Sequence, residues 1–405
     1  MRVLFITPWF PTEENPVSGV FVKELAKAAA LHDQVAVLYG RAEDEIKEGI
    51  YHISRETEEG IEIFRVSCRK LPMLSNLLYL YSMFRAFQRI KKSFNPEVIH
   101  AHTYTGGFIG VICGRAYKIP VIVTCHTMIS DEIKFTRKKI VRAAKRLIAR
   151  FTLNHAQILL PASKRICEDV RLIGVKRECD GVLPNIVNTE LFHPSNREEC
   201  DKKRVKNILF VGGLYPVKGV HHLLKALSLL VRKRSDFHLD IVGYGAYEEE
   251  CKRLAVSLGL YDKVTFHGRK RKEEVAEFMR NCDFLVFPSL VVPDVHEGFG
   301  IVLVEAIACG KPVVTTSNCE SITYEEYGVL VPVGDIPALA EAIDYMLDHF
   351  QEYPSEGFVE YVRSSLNHEA VGRRLHEIYA RAAEKFNRKG EHQGCCPGSS
   401  ARQSG

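Results

Sequence analysis

Glu297-Gly-Phe-Gly-Ile-Val-Leu-Val-Glu305, running on through Ala-Ile-Ala-Cys-Gly-Lys-Pro-Val-Val314, is the stretch whose reading decides the fold. It follows the apolar run Phe284-Leu-Val-Phe287, which stops at Pro288-Ser289 and reads as a buried strand. A short loop with Pro293 and Asp294 leads to Gly298 and Gly300, residues that let backbone come close to a ligand. From Ile301 to Cys309 the pattern is helical, Gly310 and Pro312 stop it, and a second apolar strand starts at once. Backbone N–H groups at a glycine-rich helix N-terminus favour an anion or a hydroxyl-rich ligand. Glu297 then stands at the rim, and Glu305, about two turns further on, can face the same side. Two acceptor-only carboxylates so placed suit sugar and ribose hydroxyls. The same pair also fits a plainer reading, with Glu297 capping the helix and Glu305 on a solvated face.

At 405 residues the chain has room for two domains or three, each large enough for a core. Its 46% hydrophobic and 26% charged residues are those of an ordinary soluble globular protein. No apolar run reaches the roughly 18 residues of a membrane span, and Met1-Arg-Val-Leu-Phe-Ile reads as a first strand. Neither a signal peptide nor a membrane span is expected, and a cytoplasmic location follows. The 12 cysteines are scattered without C-x-x-C spacing and read as reduced thiols. A formal charge of +5 over this length does not by itself imply nucleic acid, and no such partner is expected.

From the N-terminus, strand Arg2 to Thr7, a loop ending at Ser18-Gly19, helix Val20 to Leu31 and strand Gln34 to Tyr39 make a βαβ unit. Ligands of such units gather at the strands' C-terminal ends. Residues 41–60 are polar and acidic and read as a surface excursion. Leu71 to Phe87 is rich in Leu, Tyr, Met and Phe, which suits core packing or an acceptor wall. Strand Val98 to His102 ends in two histidines, Gly106-Gly107 opens an apolar helix, and His126 closes strand Pro120 to Cys125.

Residues 134–151 read as one basic helix without an acidic residue. Its apolar stripe, Ile140, Ala144, Leu147, Ile148 and Phe151, suits either packing on the core or docking on an anionic membrane. In the second half, Gly212-Gly213-Leu-Tyr-Pro-Val-Lys218-Gly219 puts a lysine and glycines at a strand-to-helix turn, a plausible diphosphate cradle. Strand Val264 to Gly268 leads into the basic loop Arg269 to Lys272.

E-G-F-G-x4-E-A-x-A-x-G-x-P-V-V resembles the Glu-x7-Glu signature of the retaining glycosyltransferases of family 4, and the likeness extends over nearly the whole chain. It implies an α/β protein of GT-B architecture, two Rossmann-like βαβ domains facing across a cleft. The implied domains are an acceptor-side domain over 1–190, a nucleotide-sugar domain over 191–365, and a helix over 366–388 packing back on the first domain. Residues 389–405 are expected to be a disordered tail.

The resemblance implies transfer of a hexose from a nucleoside diphosphate sugar, GDP-mannose or a UDP-hexose, to an acceptor hydroxyl on a glycan, lipid or small molecule. Neither metal nor cofactor is implied. Glu297 would hold the transferred sugar, Glu305 the ribose and Lys218 the diphosphate, with His126 on the donor sugar and His102 ranking behind it. Gly19, Gly212, Gly298, Phe299, Gly300 and Ile301 would line the donor, with Arg269 near the base. The family's phosphate-binding arginine is replaced here by Gly213. If the acceptor is a lipid, the 134–151 helix is the docking surface and the protein peripheral at the inner membrane surface. A nucleotide-sugar-binding partner or sensor without transferase activity, or an epimerase, remains as an alternative.

Overall fold

The computed structural model describes residues 1–15, 18–44, 46, 49–72, 74–195, 205–290, 300–317, 326–353 and 355–394, with backbone alone at 355 and 389–394. The first half builds a sheet from β1 (Arg2–Thr7), β2 (Gln34–Glu43), β3 (Tyr51–Glu58), β4 (Ile61–Arg69), β5 (Val98–His102), β6 (Val121–Cys125) and β7 (Ile158–Pro161). Its spatial order is β3-β4-β2-β1-β5-β6-β7, parallel throughout except that β3 runs antiparallel to β4.

Both faces of this sheet are covered, which is why its central strands are apolar at successive positions rather than at every second one. Val3 and Phe5 of β1 enter one core, whose helix is α1 (Val20–Ala30). Leu4 and Ile6 enter the other, beneath α2 (Ser75–Ser93), α3 (Thr103–Tyr117) and α5 (Lys139–His155). Two short helices, α4 (Ile129–Lys134) and α6 (Lys164–Leu172), flank α5 in sequence.

The second half builds a parallel sheet in the order β10-β9-β8-β11-β12-β13. Its strands are β8 (Lys206–Val211), β9 (Phe237–Val242), β10 (Val264–Gly268), β11 (Phe284–Phe287), β12 (Val313–Thr316) and β13 (Gly328–Val331). Around it pack α7 (Val220–Leu230), α8 (Glu248–Ser257), α9 (Lys272–Asn281), α10 (Ile301–Ala308), α11 (Ile336–His349) and α12 (Ser355–Ser365). The last helix, α13 (His368–Gly394), returns to the first sheet and buries Val371, Leu375, Ile378, Tyr379 and Ala382 in the core of the α1 face. In each sheet one central strand, β1 or β8, lies between partners whose connections leave in opposite directions. Those switch points are where an open α/β sheet forms its ligand crevice.

Four expectations are corrected. Residues 41–60 are not an excursion: β2 runs on to Glu43, and β3 is an edge strand with no buried residue, which accounts for its polar composition. The basic segment is not one helix but α4 and α5, broken at Phe135–Lys138. There Thr136 turns its hydroxyl back onto the Glu132 carbonyl, and Arg142 takes the carbonyls of Lys134 and Thr136. The final helix continues to Gly394, so the tail is helical over 389–394; residues 395–405 lie outside the described ones. Cys167 and Cys179 are joined in a disulfide, because the chain after α6 loops back to bring their Cα atoms to 6.3 Å, a closeness no spacing rule signals. Cys68, Cys113, Cys125, Cys251, Cys282 and Cys309 are buried thiols.

Candidate active site

On the C-terminal side the site is built from turns that only glycine fits. Gly219, at φ 72°, opens α7, and a Cβ there would overlap the Pro288 carbonyl just beyond β11. The Val217 carbonyl accepts the Leu290 N–H at 2.7 Å, locking the β8–α7 turn to the end of β11. Lys218 emerges from this turn with its ammonium 5.1 Å from the centre of the Phe287 ring. Gly300, at φ 68°, opens α10 at the same edge of the sheet. Two helix N-termini and a lysine thus collect positive potential at the ends of β8 and β11.

Beside them the Gly243-Tyr-Gly245 turn lies flat on Gly212–Leu214. A Cβ on Gly243 or Gly245 would overlap the Gly212 or Leu214 carbonyl, and Gly243 donates to the Gly268 carbonyl at 2.9 Å. Arg269 follows, exposed, with its guanidinium 5.0 Å over the Tyr244 ring. At Gly213 the Tyr215 ring lies against the backbone so closely that any Cβ would displace it.

Glu305 is buried on α10. Burial pushes its carboxyl up to about 7, opposed by Lys272 and reinforced by Glu24. Lys272 starts α9, whereas Glu24 belongs to α1 of the other half, so this carboxyl stands where the halves meet. Glu24 lies 3.8 Å from the Lys272 ammonium and 2.6 Å from Nε2 of His368. Burial alone would raise the Glu24 carboxyl, but the His368 hydrogen bond and the Lys272 charge outweigh it and hold it below its ordinary value.

On the N-terminal side Gly19, at φ 69°, opens α1 against the Trp9 carbonyl, which itself accepts from the Thr7 hydroxyl at 2.8 Å. Two residues on, the Phe21 ring lies 4.3 Å from that of His126. His126 leaves β6 and places Nε2 3.0 Å from Nδ1 of His102 and Nδ1 3.3 Å from Oδ1 of Asn185. With Asn185 accepting, His126 carries its proton on Nδ1, and Nε2 accepts from His102. The Nε2 of His102 is buried without a hydrogen-bond partner among the described residues. Deeper still, His100 links Thr124 and the Tyr379 hydroxyl of α13 at 2.8 and 2.9 Å. Burial depresses all three imidazoles, His126 to about 4, His100 to about 3 and His102 well below its ordinary value, so the row is neutral at pH 7. The loop after His126 is fixed by Asp169 of α6, which accepts the Ile129 and Ser130 N–H groups at the start of α4.

The structure therefore brings Gly19 and His126 together through Phe21, and Gly212, Lys218, Gly300, Ile301, Glu305 and Arg269 to one edge of the second sheet. Glu297, Gly298 and Phe299 lie outside the described residues. Sequence reasoning missed Asn185, Phe21, Glu24 and Lys272. Asn185 sits in the segment that crosses between the sheets, and Glu24 and Lys272 meet only once the two halves are assembled, so no local pattern marks them.

Residues 18–191 match the family described as Glycosyltransferase Family 4, and residues 194–356 match Glycosyl transferases group 1. The chain is similar to D-inositol 3-phosphate glycosyltransferase of Arthrobacter sp. (strain FB24), 29% identical over 348 residues that cover 78% of each chain. Its fold is similar to sucrose-phosphate synthase from Thermosynechococcus elongatus, with a TM-score of 0.71 at 20% identity over 94% of this chain and 98% of that one. It is likewise similar to Anabaena HepE in complex with UDP, with a TM-score of 0.70 at 18% identity over 94% and 100%. With two parallel-sheet halves, each matched by a glycosyltransferase family, the chain belongs to the glycosyltransferases of GT-B type.

Proposed function

We propose that this glycosyltransferase moves a hexose from a nucleoside diphosphate sugar to an acceptor hydroxyl with retention of configuration and without a metal ion, as a member of family 4. The observation that carries the reading is the junction of the Lys218–Gly219 turn with the end of β11, next to the N-terminus of α10 and with Glu305 buried on that helix. That is a site for a diphosphate attached to a ribose. As the bond to the sugar breaks, the sugar becomes oxocarbenium-like and negative charge grows on the diphosphate. Lys218 and the first N–H groups of α7 and α10 would stabilise that charge, with no reorganisation needed at the moment of reaction.

Glu305 would receive the ribose hydroxyls and Glu297 position the sugar. His126, held neutral, would offer its Nδ1–H to the sugar, and its 3.3 Å bond to Asn185 is the one a hydroxyl would displace. The leaving phosphate would itself take the acceptor's proton. A diphosphate site short of one cation suits the ring of Tyr215 as a neutral replacement wall at Gly213. The solved relatives in complex with UDP and with UDP-glucose favour a uridine donor as the first to try.

The test is calorimetric titration with UDP-, GDP- and ADP-sugars in the presence of EDTA, followed by an assay of nucleoside diphosphate release. Inositol 3-phosphate is the first acceptor to add, by analogy with the relative named for it. Binding of one nucleotide class, abolished in Glu305→Ala, is expected. Glu297→Ala should bind as well as the wild type yet release product about 10²-fold more slowly, the scale for losing one oriented transition-state contact. Undiminished turnover in Glu297→Ala would remove that residue from the mechanism. Tight binding with no release across acceptors would instead mark a binding protein.

A further inference from the structure

The N-terminal part of the apolar stripe of α5, Ile140, Ala144 and Leu147, is exposed, whereas Ile148 and Phe151 pack against the core. Only Ala149, Thr152 and Leu153 of this helix are buried, all in its second half. Ile140 is 85% and Leu147 65% exposed, and Phe135, at the break before the helix, is exposed as well. Exposed apolar side chains scattered singly need no explanation, but a run at helical spacing on one projecting helix does.

The charge around this stripe is of one sign. No acidic residue occurs between Glu132 and Glu168. Arg142, Lys145 and Arg146 bond the Thr136 carbonyl, the Thr136 hydroxyl and the Leu172 carbonyl, so they are aligned along the helix; of the three, Lys145 also faces the Glu132 carboxyl. Among the described residues the side chains of Arg137, Lys138 and Lys139 form no hydrogen bond or ion pair. They sit at the helix N-terminus, which has no side-chain cap and no acidic residue in its first turn. Cations at the positive end of a helix oppose its dipole, and the protein gains nothing internally by placing them there. An anionic surface would turn that local conflict into an attraction.

The position is also informative. α5 packs on α3, and α3 on α2, in one layer over the first sheet. The N-terminal ends of α2, α3 and α5 all lie at the C-terminal edge of that sheet, the edge holding His102 and His126. At this end α2 exposes Leu74 (its N-cap), Leu77 and Tyr81, again at helical spacing. The layer therefore presents apolar side chains framed by unneutralised cations beside the mouth of the cleft.

We infer that this end of the α2–α3–α5 layer docks on an anionic lipid bilayer, with Ile140 and Leu147 entering the interface and Arg137, Lys138 and Lys139 meeting the headgroups. Docking holds the N-terminal half of the cleft at the membrane surface, where an amphiphilic acceptor is found, but it does not depend on the transfer reaction. The reading commits to a bilayer because the stripe and the cations share one projecting end, a combination that suits a charged apolar interface better than a protein groove.

Co-sedimentation of the full chain with vesicles tests it, comparing phosphatidylcholine alone with phosphatidylcholine–phosphatidylglycerol mixtures. Binding to the anionic vesicles only, weakened by salt, is expected. Ile140→Asp with Leu147→Asp, and separately Arg137→Glu with Lys138→Glu and Lys139→Glu, should each lower the partition by about tenfold or more. All five positions are exposed, so thermal melting and nucleotide-sugar titration should match the wild type and show that the fold is intact. Wild-type protein that stays in the supernatant with anionic vesicles overturns the inference, as does binding indifferent to both sets of variants. A dimer dissolved by Ile140→Asp, in protein that ignores vesicles, would assign the patch to a second copy instead.

Discussion

Glu305 shows how one carboxyl can report the state of the cleft. Its folded value of about 7 stands above the ordinary 4.5, with burial the largest cause and Lys272 and Glu24 the charged groups that face it. Below the ordinary value, folded and unfolded chains both hold the proton. Between the two values only the folded chain holds it, so the stability this group contributes at low pH is lost as pH rises through about 7. Glu305→Gln should therefore be more stable than the wild type at pH 8, by up to about 3 kcal/mol, with the gap closing towards pH 5. Urea melts at the two pH values decide it; a gap that widens in acid would mean that the carboxyl is not buried as described. The place of Glu305 on a helix could be read from sequence because the glycines before it and the helix that carries it form a local pattern. Asn185 could not, since its partner His126 is brought to it only by the packing of β6 against the crossing segment.

The elements that could be read in advance are those fixed by local chemistry. Phe284 to Phe287 and the helix after Gly300 fell where the apolar run and the glycine put them, and so did the turn at Lys218-Gly219. That turn yields a sharp test. Gly219→Ala must hold a left-handed backbone against the Pro288 carbonyl, and it should cost about 2–4 kcal/mol and weaken nucleotide binding together. A chemical-denaturation midpoint equal to the wild type's would show that the turn relaxes freely. By contrast, α5 was legible as an amphipathic helix and illegible as an exposed one. Periodicity says which face is apolar, but whether a core reaches that face depends on how far the helix overhangs the sheet. The edge strand β3 was hidden for a related reason: with one edge to solvent and both faces exposed over 55–58, its sequence is nearly as polar as a loop.

At the scale of the molecule, α13 brings the end of the chain from the second half back onto the first. Its residues Val371, Leu375, Ile378 and Tyr379 recur at helical spacing, which announces a packed helix without saying on which half it packs. The structure places it on α1, where a Cβ at Gly372 would overlap the Ala28 carbonyl. Polar ties run along its length: His368 to Glu24, Arg374 to the Val182 carbonyl, His376 to Asp33 and Tyr379 to His100. The crossing segment joins the other end of the connection, Val187 donating to the Leu366 carbonyl at 2.9 Å. A chain ending at Leu366 would uncover those four side chains' share of the first core, at about 1.5–3 kcal/mol each. Together that rivals the roughly 5–15 kcal/mol by which a domain is stable at all. Such a truncation should therefore leave the first sheet unable to fold, read as loss of soluble protein and of a cooperative melt. A chain ending at Gly394 should melt as the full chain does. Tyr379→Phe gives the intermediate case, since it keeps the packing but strands Nδ1 of His100 in the core, and about 1–3 kcal/mol should go with that bond. If the chain ending at Leu366 melts cooperatively at the full-length temperature, α13 is only an appendage, and the link it makes from Glu24 to the Glu305 side of the cleft has no structural weight.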